Sequence, residues 1–184
     1  MSINRSPTII DELEDRNNEL FVALDGEDDL GIVIRAHIHI EHELKEFILT
    51  VAPKPDQIHF PDYQYDGLLT LALTLGLSGE LKPALSAIGN LRNKFAHRLD
   101  MALTKHEANN LYRALSAEVK SDAHLGYANL KRMPKYANAG LPKSMRDLSP
   151  RRLFGTCVVT LRSFIILQTL KAYARSIGLE SKAL

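Results

Sequence analysis

In the stretch "LRNKFAHRLD", Leu91 to Asp100, three residues able to handle a phosphate stand close together: Arg92, Asn93 and His97. Asn93 and His97 are four apart, so on a helix they stack on one face. Arg92 is turned from Asn93 by about 100°, which a long side chain can bridge. A histidine titrates near neutrality and can take a proton from a hydroxyl or return one to a leaving oxygen. Arginine offers a planar fork of donors to a phosphate whose charge grows in the transition state. Asn93 can orient the imidazole or hold the phosphate. None of this chemistry calls for a metal or an organic cofactor. Arg, Asn and His are also common as plain solvated residues of a helix, so spacing alone leaves both readings standing.

A second polar set lies upstream, in "GIVIRAHIHIEHELKEFI": Arg35, His37, His39, Glu41, His42 and Glu43. His37 with Glu41, and His39 with Glu43, have the i,i+4 spacing of a metal-ligand pair. Without a third ligand they read more simply as local His–Glu pairs on a polar face. If that face meets the Arg92–His97 helix, Arg35, His39 and Glu43 become supporting groups around His97. A third set interleaves Tyr112, Tyr127 and Tyr136 with Lys131, Arg132 and Lys135, a composition suited to single-stranded RNA. A basic segment packed on an acidic partner explains it equally well. Arg151 and Arg152 fall at the start of a helix, where its dipole disfavours cations, which points to an anionic partner. His59 and His106 suggest no role, and Cys157 reads as a small buried hydrophobe.

The elements that must position these residues are helical. Ser6-Pro7 opens a helix carrying Ile9, Ile10, Leu13, Leu20, Phe21 and Leu24. The acidic turn "DGEDDL" supplies anions to a helix spanning roughly Leu30 to Val51. Residues 52–65, with three prolines, form a long loop. Asp66 caps a short, nearly all-apolar helix that reads as buried. The motif helix starts near Leu81 and presents Leu81, Leu85, Ile88, Leu91 and Phe95 to a core. Thr104 and Glu107 form a capping box, and Ser149-Pro150 opens a last helix that Gly178 ends near Ile177. No strand pattern and no repeat intervene. The expected fold is an all-α, single-domain bundle of about six helices. Its core is residues 6–119 and 149–178, with a basic, largely irregular insertion at 120–148.

The formal net charge of +1 hides an asymmetry. Residues 1–119 carry 11 Lys and Arg against 19 Asp and Glu, a balance of −8, and residues 120–184 carry 12 against 3, a balance of +9. Such a split means either an acidic half folded on a basic half or a basic surface kept for a polyanion. The single cysteine excludes an internal disulfide, no secretory h-region is visible, and charged residues interrupt the apolar runs. A cytoplasmic location without membrane insertion is expected.

"RNKFAH" resembles the Arg-x4-His motif of the HEPN superfamily (higher eukaryotes and prokaryotes nucleotide-binding). The order of elements around it, over about residues 30–120, is similar to the superfamily's mannitol-repressor branch; the basic segment has no counterpart there. The resemblance implies a homodimer in which two motifs face one cleft. It also implies metal-independent cleavage of RNA by 2′-hydroxyl attack, leaving a 2′,3′-cyclic phosphate and a 5′-hydroxyl, as in toxin or defence nucleases. Arg92 would then stabilise phosphate charge, Asn93 orient and His97 move protons. Other members are non-catalytic regulators that work by binding proteins, so an antitoxin or regulatory protein partner is the alternative. No helix-turn-helix signature supports DNA reading.

Overall fold

The computed structural model describes residues 17, 19–24, 26–98, 100–133 and 140–178. The expected helix opening at Ser6-Pro7, with Ile9, Ile10 and Leu13, lies outside the described residues, as do Lys135 and Tyr136. Residues 19–24 are helical and bury Leu20, Phe21 and Leu24. The helices that follow are α1 (Asp29–Val51), α2 (Tyr65–Thr74), α3 (Lys82–His97), α4 (Lys105–Ala114), α5 (Ala117–Arg132) and α6 (Pro150–Ser176). Among the described residues there is no strand, and the architecture is an all-α single-domain bundle.

Two long helices form its spine. α1 packs most extensively on α6 and also touches α2 and α3. α4 bridges α3 and α6, while α5 lies along α6. Ile32, Val33, Ala36, Ile40, Leu44 and Ile48 bury one stripe of α1 at helical spacing. α6 answers with Leu153, Phe154, Cys157, Val158, Leu161 and Ile165, all buried. By length and composition alone α6 is long and apolar enough to cross a membrane, which the interrupted apolar runs had argued against. Half of that apolar stretch is buried within the bundle. Burial pushes the Cys157 thiol up to about 12, so it stays an unreactive core group.

The helix punctuation follows the sequence closely. Asp28 accepts a hydrogen bond from the Gly31 amide at the start of α1, and Ser149 caps α6 by accepting from Arg152. Gly178 takes φ 72°, the left-handed conformation that ends α6 without a Cβ penalty. Thr104 caps α4, and its hydroxyl also bonds the Glu107 carboxylate.

Three expectations need correction. α2 begins at Tyr65 after Gln64, with no side-chain cap, so Asp66 sits within the first turn; only Leu68, Leu69 and Ala72 are buried. The loop 52–65 contains two 3₁₀ turns, Pro55–Gln57 and Phe60–Asp62. Most consequentially, the first half of the segment expected to be irregular is the helix α5. Ser116 caps it by accepting from the Val119 amide, and Val119, Ala123 and Tyr127, four apart, are buried. That stripe is narrow and built partly on alanine, so its period is faint in the sequence. Residues 140–149 are then strapped down by side chains. Tyr127 donates to the Pro142 carbonyl at 2.7 Å, Lys131 to Lys143 at 2.9 Å, and Lys105 to Arg146 and Leu148 at 2.8 and 2.7 Å.

Candidate functional site

α3 follows a 3₁₀ turn, Gly79–Leu81, and has Pro83 in its first turn, where a missing N–H costs nothing. Leu85, Ile88, Leu91 and Phe95 are buried as expected, and Leu81 just before the helix is buried too. This fixes the rotation of the helix, so Arg92, Asn93 and His97 all face solvent on its last two turns. The Arg92 guanidinium donates to the Asn93 side-chain oxygen at 3.1 Å. Asn93 therefore orients the arginine rather than the imidazole, and its amide N–H groups remain for another acceptor. His97, the last residue of α3, has no hydrogen-bond partner among the described residues.

The groups beside the motif differ from those expected. His37 and His39 lie about 200° apart around α1, so only one of them can face α3. It is His37, buried at 7 % exposure, with its ring 4.5 Å from that of Tyr65. Burial holds the His37 imidazole below its ordinary pKa; Glu41, 3.6 Å from Nδ1, opposes this, while Arg92 and Lys45 reinforce it. Arg92 thus stands within electrostatic reach of a neutral, buried histidine. Glu41 in turn holds Lys45 at 2.6 Å.

Tyr65 is the prop of this corner. Its hydroxyl donates to the Leu85 carbonyl of α3 at 3.0 Å, and burial keeps the phenol protonated well above its usual range. α3 can come this close because residue 89 is glycine. A Cβ there would lie 2.7 Å from two carbons of the Tyr65 ring, inside any tolerated contact.

Arg35, His39 and Glu43, expected around His97, face elsewhere. Arg35 pairs with Glu27 at 2.5 Å. Glu43, 6 % exposed, binds Arg162 of α6, itself 5 % exposed, through Nε at 2.9 Å and a terminal nitrogen at 2.7 Å. His39 lies on this side, its pKa lowered by burial and then by Arg162. The reason is rotational: the face of α1 carrying residues 39 and 43 is claimed by α6. The signal for His37 was its place in the buried stripe with Val33, Ile40 and Leu44. Tyr65 left none, because its partner lies in another helix.

The candidate RNA contacts also divide. Lys131 is spent on the Lys143 carbonyl and lies 5.4 Å from the Tyr127 ring centre, while Arg132 is exposed. Arg151 at the start of α6 is held by Asp29 and by the Glu27 carbonyl, so the anion implied by its position is part of this chain. Arg152 is half-buried and partnered within the chain. Among the described residues no group of three or more His, Cys, Asp or Glu stands together as metal ligands. Set against protein-family models, curated proteins and solved structures, the chain matches none of them.

Proposed function

We propose that this chain is a HEPN-like, metal-independent endoribonuclease of the cytoplasm that acts as a homodimer, in the manner of toxin or defence nucleases. The observation that carries the reading is the joint exposure of Arg92, Asn93 and His97 on one helix end, the first two bonded to each other and the third uncommitted. A solvated guanidinium and a free imidazole on the same helix end are the kind of groups that transphosphorylation uses.

The reaction balances within two copies of the chain. One His97 takes the 2′-hydroxyl proton as the 2′-oxygen bonds to phosphorus. The Arg92 guanidinium holds the growing charge on the non-bridging oxygens. The bond from phosphorus to the 5′-oxygen breaks, and the second copy's His97 protonates that oxygen. The products are a 2′,3′-cyclic phosphate and a 5′-hydroxyl. Support for a second copy comes from α1. Leu30 and Ile38 are 49 % and 58 % exposed, and with Ile34 they form an apolar stripe within about 100° of His37.

The test is the purified protein with end-labelled RNA in EDTA, beside His97→Ala and Arg92→Ala. Wild type should cut, and loss of the imidazole should slow cutting by about 10²–10⁴-fold. An inert wild type, or variants that cut at the same rate, sinks the enzyme reading. The apolar stripe on α1 equally favours the second reading, a mannitol-repressor-like regulator that binds another protein and cleaves nothing. An inert wild type whose interaction with a protein partner is lost on Ile38→Asp would establish it.

A further inference from the structure

The cations of this chain are neutralised unevenly. On α1 and at its junction with α6 they meet carboxylates: Arg35 pairs with Glu27, Lys45 with Glu41, Arg151 with Asp29 and Arg162 with Glu43. Between the end of α3 and the start of α6 they meet neutral groups or none. Lys105 donates to the Arg146 and Leu148 carbonyls at 2.8 and 2.7 Å, and Lys131 to the Lys143 carbonyl at 2.9 Å. A carbonyl takes an N–H but has no charge with which to cancel the ammonium. Lys143 and Arg146 are themselves exposed, as is Arg98 next to His97, and among the described residues no carboxylate holds any of the three.

The segment 140–149 gathers these cations along one edge. Lys131 reaches it at residue 143 and Lys105 reaches it at residues 146 and 148. The edge lies at the end of the bundle where α3 stops. The Leu103 amide and Arg151 both bond the Asp29 carboxylate, so the starts of α1, α4 and α6 meet there. Eight residues separate His97 from Lys105, at most about 29 Å of extended chain. The acids nearby are Asp100 and Asp147, both exposed, and Glu107, whose carboxylate bonds the Thr104 hydroxyl. The cations outnumber them.

The apolar side of the ledger favours one class of partner. Among the described residues no large hydrophobic side chain stands exposed in 100–106 or 140–149. The centre of a protein–protein interface is depleted in charge and rich in apolar groups. A nucleic acid strand binds through its phosphates and asks for neither.

We propose that this basic edge binds the phosphate backbone of single-stranded RNA, leading the strand along segment 140–149 to the His97 end of α3. The ligand class rests on the ribonuclease reading, whereas the surface itself is set by the contacts above.

Full-length His97→Ala protein is titrated with a fluorescent oligouridylate of about twelve nucleotides over a range of salt, so that cleavage cannot interfere. The logarithm of affinity should fall linearly with the logarithm of salt. Lys143→Ala with Arg146→Ala should flatten that slope by about 0.7 per cation removed. Both changes keep the backbone carbonyls, so Lys105 and Lys131 retain their anchors. Lys171→Ala, an exposed cation toward the other end of α6, should leave the slope as it is. Absence of RNA binding overturns the proposal, as does a slope that the double variant leaves unchanged or that Lys171→Ala lowers equally. Polyglutamate of matched charge bound as tightly as the RNA overturns it in favour of an acidic protein. Wild type that binds RNA through this edge and never cuts it counts against the ribonuclease reading alone. Cleavage that proceeds with no part played by Lys143 and Arg146 in binding counts against this surface alone.

Discussion

Arg162 and Arg92 carry the same group into opposite surroundings. Arg162 is 5 % exposed, and two of its nitrogens converge on one Glu43 oxygen. Arg92 is exposed and gives one N–H to an uncharged amide. Removing an ion pair from water costs several kcal/mol per ion, so the buried pair holds only while both members are present. At Arg92 the unspent N–H groups face solvent, so pairing them with a phosphate requires no buried partner to be displaced. Donors saturated by a buried carboxylate belong to the scaffold, whereas those of Arg92 face solvent and stay open to an outside acceptor.

Breaking the comparison at its scaffold end gives the largest effect. Glu43→Ala strands a buried guanidinium and should destabilise the fold by about 3–5 kcal/mol in denaturant unfolding, whereas His97→Ala should stay within about 0.5 kcal/mol of wild type. Glu43→Leu combined with Arg162→Met should recover most of the loss. An intermediate effect falls on the corner between the two regions. Gly89→Ala drives a methyl into the Tyr65 ring and should cost about 1–2 kcal/mol, overpacking being partly offset by better helix propensity. Its signature is a shifted His37 resonance in NMR; a stabilised variant with an unmoved His37 would refute the contact.

The smallest effect sharpens the comparison through pH. Burial lowers the pKa of both His37 and His39 from the ordinary 6.5. The unfolded chain therefore binds these protons at a pH where the native chain refuses them. Stability is intact above 6.5 and declines as pH falls through it, levelling only below the depressed native values. Melting temperature should drop between about pH 7.5 and pH 5.5, and His37→Gln should flatten the slope. A wild-type profile that is flat across that window contradicts the burial of both rings.

Much of the bundle was legible because helix signals are local. Ser149-Pro150 and Gly178 bracket α6, and the apolar spacing from Leu81 to Phe95 fixed which residues of α3 turn to solvent. The exposed positions of Arg92, Asn93 and His97 follow from that spacing alone. Their surroundings do not. Periodicity gives the angle between His37 and His39 on α1, but which neighbour lies across from each depends on how helices distant in sequence dock. So Glu43 was placed beside His97 when it belongs to Arg162. α5 was missed for a different reason: its buried stripe of Val119, Ala123 and Tyr127 is too sparse to stand out among Lys, Asn and Gly. The charge asymmetry proved partly internal, with Asp29 meeting Arg151 and Glu43 meeting Arg162 across the boundary between acidic and basic halves.

The union of α1 with α6 also sets the order of assembly. Glu43 and its arginine are 119 residues apart in the chain, so the spine forms by closing a very long loop, whose entropy is lost before any burial compensates. During synthesis α1 emerges far ahead of α6, its main packing partner, and until α6 follows it has only α2 and α3 to pack against. A nascent chain ending before residue 150 leaves the side of α1 that meets α6 exposed, and apolar surface exposed in this way favours aggregation.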